Sequence, residues 1–135
     1  MSSTPDCATF LRDLFQRLAD HGWTGGIFLD ALADDLTWTV TGTSPVSGTY
    51  RSKDEYVAKV FRPLDERLET WPRPVVERII ADGDWATVLF DSQGGRGKNG
   101  TDYSMLYCWI MRVVDEKIHE VVGFYDQIKV AELFA

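Results

Sequence analysis

The chain has 135 residues, of which 44% are hydrophobic, with five Trp and a formal net charge of −7. That length suits one domain with a real core (residues 1–135) and is too short for two. The acidic balance excludes nucleic acid and anionic membrane surfaces as partners, because both are bound by basic surfaces. No apolar run approaches the ~20 residues of a membrane span, and the start MSSTPDCATF has neither a basic region nor an apolar signal core, so a cytoplasmic protein is expected. Cys7 and Cys108 make neither a disulfide framework nor a zinc site, and no metal is expected.

In chain order, a first helix is predicted from about Pro5 to Ala19, with Thr4 as its cap and Phe10, Leu11, Leu14, Phe15 and Leu18 as its apolar stripe. His21-Gly22 ends it. A second helix follows, capped by Thr24, with Trp23 stapled onto Phe28 and Leu29 and Leu32 continuing the buried side. Leu36 to Thr41 alternates as a half-buried strand. Gly42 to Tyr50 reads as a loop. Ser52-Lys53-Asp54-Glu55 is a capping box that opens a third helix through Leu68, and Pro63 inside it is expected to kink it near Lys59. Strands Val75–Ala81 and Trp85–Ser92 come next.

Tyr103–Val114 and Lys117–Tyr125 form a hairpin turning at Asp115-Glu116. With Glu116 at the apex, paired residue numbers sum to about 232. Trp109 then faces Gly123, Tyr107 faces Tyr125, Met111 faces Val121 and Val113 faces His119. The opposite face, with Leu106, Cys108, Ile110, Val122 and Phe124, is also apolar and needs its own cover. A last helix, Gln127–Phe134, starts from Asp126 as its cap. Gly95-Arg96-Gly97-Lys98-Asn99-Gly100 matches GxGxxG, but a strand follows it instead of a helix, so it is read as an accidental match. Helices early and long antiparallel strands late define an α+β class. A curved sheet folded round the helices leaves an internal cavity.

Several short stretches carry a family resemblance across nearly the whole chain. They are Ala33-Asp34-Asp35 before the strand with Trp38, Gly42 and Ser47-Gly48-Thr49-Tyr50 before the third helix, Met111 to Ile118 at the hairpin, and Phe124-Tyr125-Asp126. Together they resemble the SnoaL-like and ketosteroid-isomerase-like members of the nuclear transport factor 2 superfamily. The resemblance implies a cone-shaped, cystatin-like half-barrel with three helices in the N-terminal half wrapped by an antiparallel sheet. The His and Asp that polyketide-cyclase relatives use for proton transfer fall on Trp109 and Gly123. None of the acid–base pairs known in the relatives is present.

The residues expected to line the pocket are Trp38, Val40, Tyr56, Phe61, Phe90, Tyr107, Trp109, Met111, Gly123 and Tyr125. Two readings of function stay open. One is a cofactor-free isomerase, cyclase or lyase acting by proton transfer on a small apolar cyclic carbonyl or hydroxyl compound. Tyr107 and Tyr125 would then polarise an oxygen, and His119 would be the base. The other is a non-catalytic protein that binds an apolar ligand in the same pocket. Under either, the apolar convex face predicts a homodimer. Asp126 reads as a helix cap, and Trp109 over Gly123 as an aromatic filling the gap a strand glycine leaves.

Overall fold

The computed structural model describes residues 6–135. Thr4 and Pro5, the expected start of the first helix, lie outside the described residues. Helix α1 (Cys7–His21) is capped by Asp6, whose carboxylate accepts the Thr9 N–H at 2.8 Å. Its buried side holds Phe10, Leu11, Leu14, Phe15 and Leu18. Gly22, at φ +88°, closes it by donating its N–H to Leu18 O, a backbone conformation that favours glycine.

Helix α2 (Ile27–Asp30) is shorter than expected, and Gly26 precedes it in place of a Thr24 side-chain cap. Leu32 belongs to strand β1 (Leu32–Val40) instead of the helix. The register of β1 shifts between Leu32 and Thr37, which lets Asp34 and Asp35 face solvent inside the strand. Part of the expected Gly42–Tyr50 loop is strand β2 (Gly48–Tyr50), paired antiparallel to β1.

The capping box forms: Ser52 Oγ accepts the Glu55 N–H at 3.0 Å, and Glu55 Oε1 accepts the Arg51 N–H at 2.9 Å. The third helix runs in three pieces, α3 (Lys53–Tyr56), a π-helical turn (Val57–Phe61) and α4 (Arg62–Arg67). The reason is Pro63. It has no N–H to return to the preceding turn, so the backbone widens there and Arg62 N–H reaches back to Val57 O.

Strands β3 (Leu68–Thr70) and β6 (Arg96–Gly97) form a small ribbon. The GxGxxG stretch is this ribbon and its turn. Asn99 Nδ2 donates to Glu132 O, which ties the turn to the last helix. The main sheet runs β2-β1-β8-β7-β5-β4, with β4 (Arg73–Asp82), β5 (Trp85–Gln93), β7 (Met105–Val114) and β8 (Lys117–Phe124). It is an open, curved sheet in an α+β fold. One pair departs from the antiparallel expectation: β1 lies parallel to β8, with most of the chain between them. Helix α5 (Gln127–Leu133) starts from Asp126, whose carboxylate accepts the N–H groups of Ile128 and Lys129.

The hairpin shows why its register is only partly simple. Asp115 and Glu116 both have positive φ, +51° and +58°, so they form a two-residue turn of the mirror-image kind. Near the turn, Val113 pairs with Ile118 and Val114 with Lys117. One residue bulges out between there and Arg112↔Glu120, and beyond it Met111↔Val121 and Trp109↔Gly123 pair as expected. The bulged residue is His119, so it does not face Val113.

Candidate functional site

The site is built on Phe90, Tyr107 and Trp109, neighbours on the buried face of β5 and β7. The Phe90 and Tyr107 rings stack at 4.8 Å, and Trp109 meets Phe90 edge-on at 4.9 Å. The helical layer supplies the opposite wall. Trp23 and Phe28 pack at 5.0 Å, and Phe28 stacks on Phe61 at 6.0 Å. Trp23 is fixed by donating Nε1–H to Pro72 O at 2.9 Å. Between the walls lies a cavity of about 50 Å³. It is well below the ~150 Å³ of a dry cavity that admits benzene, yet large enough for more than one water-sized body.

Of the expected lining residues, Val40, Tyr56, Phe61, Phe90, Tyr107, Trp109 and Tyr125 border the cavity. Trp38, Met111 and Gly123 do not. Trp38 and Met111 are wholly buried in the wall behind it. Trp38 is stacked on Tyr56 at 4.2 Å and lies edge-on to Trp109 at 4.9 Å. Gly123 is roofed by the Tyr125 ring: a Cβ there would lie 2.7 Å from Tyr125 Cζ. Tyr125, not Trp109 alone, fills the gap above the glycine.

His119 is not part of this site. The bulge turns it to the surface, where Nδ1 lies 3.2 Å from Asp35 Oδ1, and it lines an outer groove with Asp34, Lys53 and Lys117. The structure therefore separates it from Tyr107 and Tyr125, which stand edge-to-face at 5.6 Å.

Sequence reasoning missed the other nine cavity walls, Trp23, Phe28, Val46, Val60, Leu64, Trp71, Pro72, Tyr103 and Val130. Tyr103 shares the odd parity of Tyr107 and Trp109, so the strand alternation already carried that signal. Trp71 follows no such rule. It stacks on Phe61 at 5.1 Å and donates Nε1–H to Asp65 Oδ1 at 2.8 Å, forming the half-exposed rim.

The polar groups of the cavity are phenols and indoles. Burial pushes the phenols of Tyr56 and Tyr103 well above the ordinary range and raises those of Tyr107 and Tyr125 strongly as well. Hydrogen bonding from Ser92 and Tyr103 tempers the shift at Tyr107. Trp38 Nε1–H donates to Tyr125 Oη at 3.0 Å and tempers the shift there. All four hydroxyls are neutral donors at any physiological pH. Chemically the site can surround an apolar body and donate hydrogen bonds to it.

A curved open sheet with helices packed on it is a fold shared with solved proteins described as nuclear transport factor 2-like and cystatin-like. The chain belongs to the SnoaL-like domain family, which it matches over residues 11–121. It is similar in structure to a nuclear transport factor 2-like protein from Burkholderia thailandensis, with 23% identity, a TM-score of 0.77 and coverage of 98% of this chain and 99% of that one. A protein with a cystatin-like fold from Xanthomonas campestris gives 18% identity and a TM-score of 0.72 over 97% and 99% of the two chains. A protein from Catenulispora acidiphila with a ketosteroid isomerase-like fold, solved in complex with trimethylamine, gives 18% and 0.67 over 95% and 91%. No protein of curated function matches the chain.

Proposed function

We propose that this SnoaL-like protein binds a small, largely apolar molecule in the aromatic cavity without transforming it. The observation that carries this reading is the composition of the cavity wall. Proton-transfer catalysis needs a base within reach of the reacting carbon. Among the described lining residues the titratable groups are Tyr56, Tyr103, Tyr107 and Tyr125, all held protonated by burial. The isomerase, cyclase or lyase reading depended on His119, which is engaged with Asp35 outside the cavity. The positions of the relatives' acid–base pair hold an indole and a glycine covered by a phenol ring.

The partner reading extends to a second copy of the chain. Leu106 and Phe124 are 54% and 47% exposed on the outer face of β7 and β8, and half-buried Cys108, Ile110 and Val122 lie between them. A homodimer through this face would remove them from water. The binding reading is tested by extracting small molecules from purified protein and identifying them by mass spectrometry. A cavity-filling variant, Val46→Phe, serves as the control. A compound recovered from wild type and lost from the variant supports the reading; turnover of that compound by wild type refutes it.

A further inference from the structure

One wall of the cavity is a single helix thick. Val130 of α5 borders the cavity and is buried, while Ile128, Ala131 and Glu132 of the same helix are exposed to water. Among the described residues no backbone–backbone hydrogen bond joins α5 to another element, so its polar ties run through side chains. Asn99 Nδ2 donates to Glu132 O at 2.9 Å and to Leu133 O at 3.4 Å. Gln127 Nε2 donates to Thr41 O at 3.1 Å, Lys129 Nζ donates to Ser104 O, and Arg67 lies 4.4 Å over the Phe134 ring. The seat is shaped to this helix. A Cβ on Gly97 would lie 2.6 Å from Leu133 Cδ1, and one on Gly42 would strike the Gln127 side-chain amide. Gly97 and Asn99 both belong to the Gly95–Gly100 stretch, which thus serves to dock a helix.

Closure leaves an acceptor unpaired: Gln127 Oε1 is fully enclosed and has no donor. Such an atom disfavours the closed state, and water would satisfy it once the helix lifted. The sheet side of the cavity is held differently, since Phe90, Tyr107 and Trp109 stand on strands bonded along their length. Local opening follows the route that breaks the fewest such bonds. We propose that α5 is the door of the cavity: it lifts as a unit about Tyr125-Asp126, between β8 and α5, and Asn99 is the catch that holds it shut. The half-exposed Trp71 rim follows β3, the strand paired with the ribbon that leads to Asn99, so rim and catch are neighbours. The inference rests on the binding reading above and adds how a molecule reaches the site.

The test needs no known ligand. In Val130→Cys the full chain carries a thiol that iodoacetamide reaches only when α5 lifts, and buried Cys7 in α1 reports global unfolding in the same sample. Peptide mapping by mass spectrometry separates the alkylation of each thiol. Asn99→Asp, made in both this and the wild-type background with folding checked by circular dichroism, keeps the oxygen that accepts the Thr101 N–H and turns the donor into an anion facing two carbonyl oxygens. Asn99→Ala is the second variant. Xenon exchange with the cavity is followed in solution by xenon-129 resonance. The introduced thiol is expected to react at least about tenfold faster than Cys7. Asn99→Asp is expected to speed it about tenfold further, with Cys7 unchanged and xenon exchange faster. An introduced thiol no faster than Cys7 overturns the inference, because the helix then leaves only on global unfolding. Equal acceleration of both thiols by the Asn99 variants overturns it in favour of a merely structural contact. A faster thiol with unchanged xenon exchange shows a helix that moves without being the door. Xenon taken up by neither wild type nor variant refutes the cavity-binding reading and the door with it, whatever the thiol shows of the helix.

Discussion

Gly123→Ala is the change whose cost the structure sets most directly. Gly123 pairs with Trp109 on one side and Val40 on the other, and its φ is not in the left-handed region, so alanine suits the backbone. Intrinsic preference alone would make the change stabilising by about 0.5–1 kcal/mol. The contact above it reverses the sign. The new methyl would meet the Tyr125 ring, with Cζ at 2.7 Å and Cε1 at 2.8 Å, so the ring must leave its place. Overpacking of this kind costs about 1–3 kcal/mol. Losing the Trp38–Tyr125 hydrogen bond adds about 0.5–1.5 kcal/mol. A net loss of about 0.5–4 kcal/mol is expected, read from urea unfolding followed by Trp fluorescence and circular dichroism. In a Tyr125→Ala background the obstacle is gone, and the same glycine change should be neutral or slightly stabilising. A Gly123→Ala substitution that is harmless in wild type, or equally costly in both backgrounds, would refute the packing argument.

The buried phenols predict alkaline sensitivity. Because burial raises their folded-state pKa above the unfolded value, their contribution is fully present below about pH 10 and is lost as pH rises beyond it, by about 1.4 kcal/mol per pH unit for each phenol. Ultraviolet titration of the folded protein should show Tyr56, Tyr103, Tyr107 and Tyr125 un-ionised until the chain unfolds, and early ionisation of all five Tyr would contradict their burial. Asp126→Ala removes the acceptor for two N–H groups at the start of α5 and should cost about 1 kcal/mol in chemical denaturation. Asp65→Ala frees the Trp71 indole at the rim and should speed ligand entry in stopped-flow fluorescence, with little change in stability, since the lost bond is exposed. Phe124→Asp on the outer face should turn a dimer into a monomer in sedimentation; a wild-type monomer at micromolar concentration would remove the dimer proposal.

Strand and helix periodicities in the sequence identified seven of the sixteen residues lining the cavity, because burial on one face repeats every two or 3.6 residues. That is why Phe90, Tyr107 and Trp109 were legible. His119 was misplaced by a single bulge. The turn at Asp115-Glu116 has two residues, so a pairing centred on Glu116 holds only after one residue of β8 drops out of register, and parity counted back from the strand's middle gives the wrong face for that residue. The parallel β1–β8 pairing was hidden for another reason: the two strands are separated by most of the chain, and a strand's own residues do not state the direction of its partner. Trp71 and Val46 reach the cavity from irregular segments, where no period exists to read. The role of Tyr125 over Gly123 was half visible. A strand glycine announces a close approach, but which aromatic makes it depends on a ring folding back from two residues later.

The central claim is that sheet and helices enclose an apolar space bounded by Trp23, Phe61, Phe90, Tyr107 and Trp109. Diffraction from crystals held under xenon pressure tests this most directly, since the gas enters apolar cavities of suitable size without needing a known ligand. Xenon at an ordered site among those five rings is the predicted result. Electron density showing the rings closed on one another, with no xenon between them, would contradict the account.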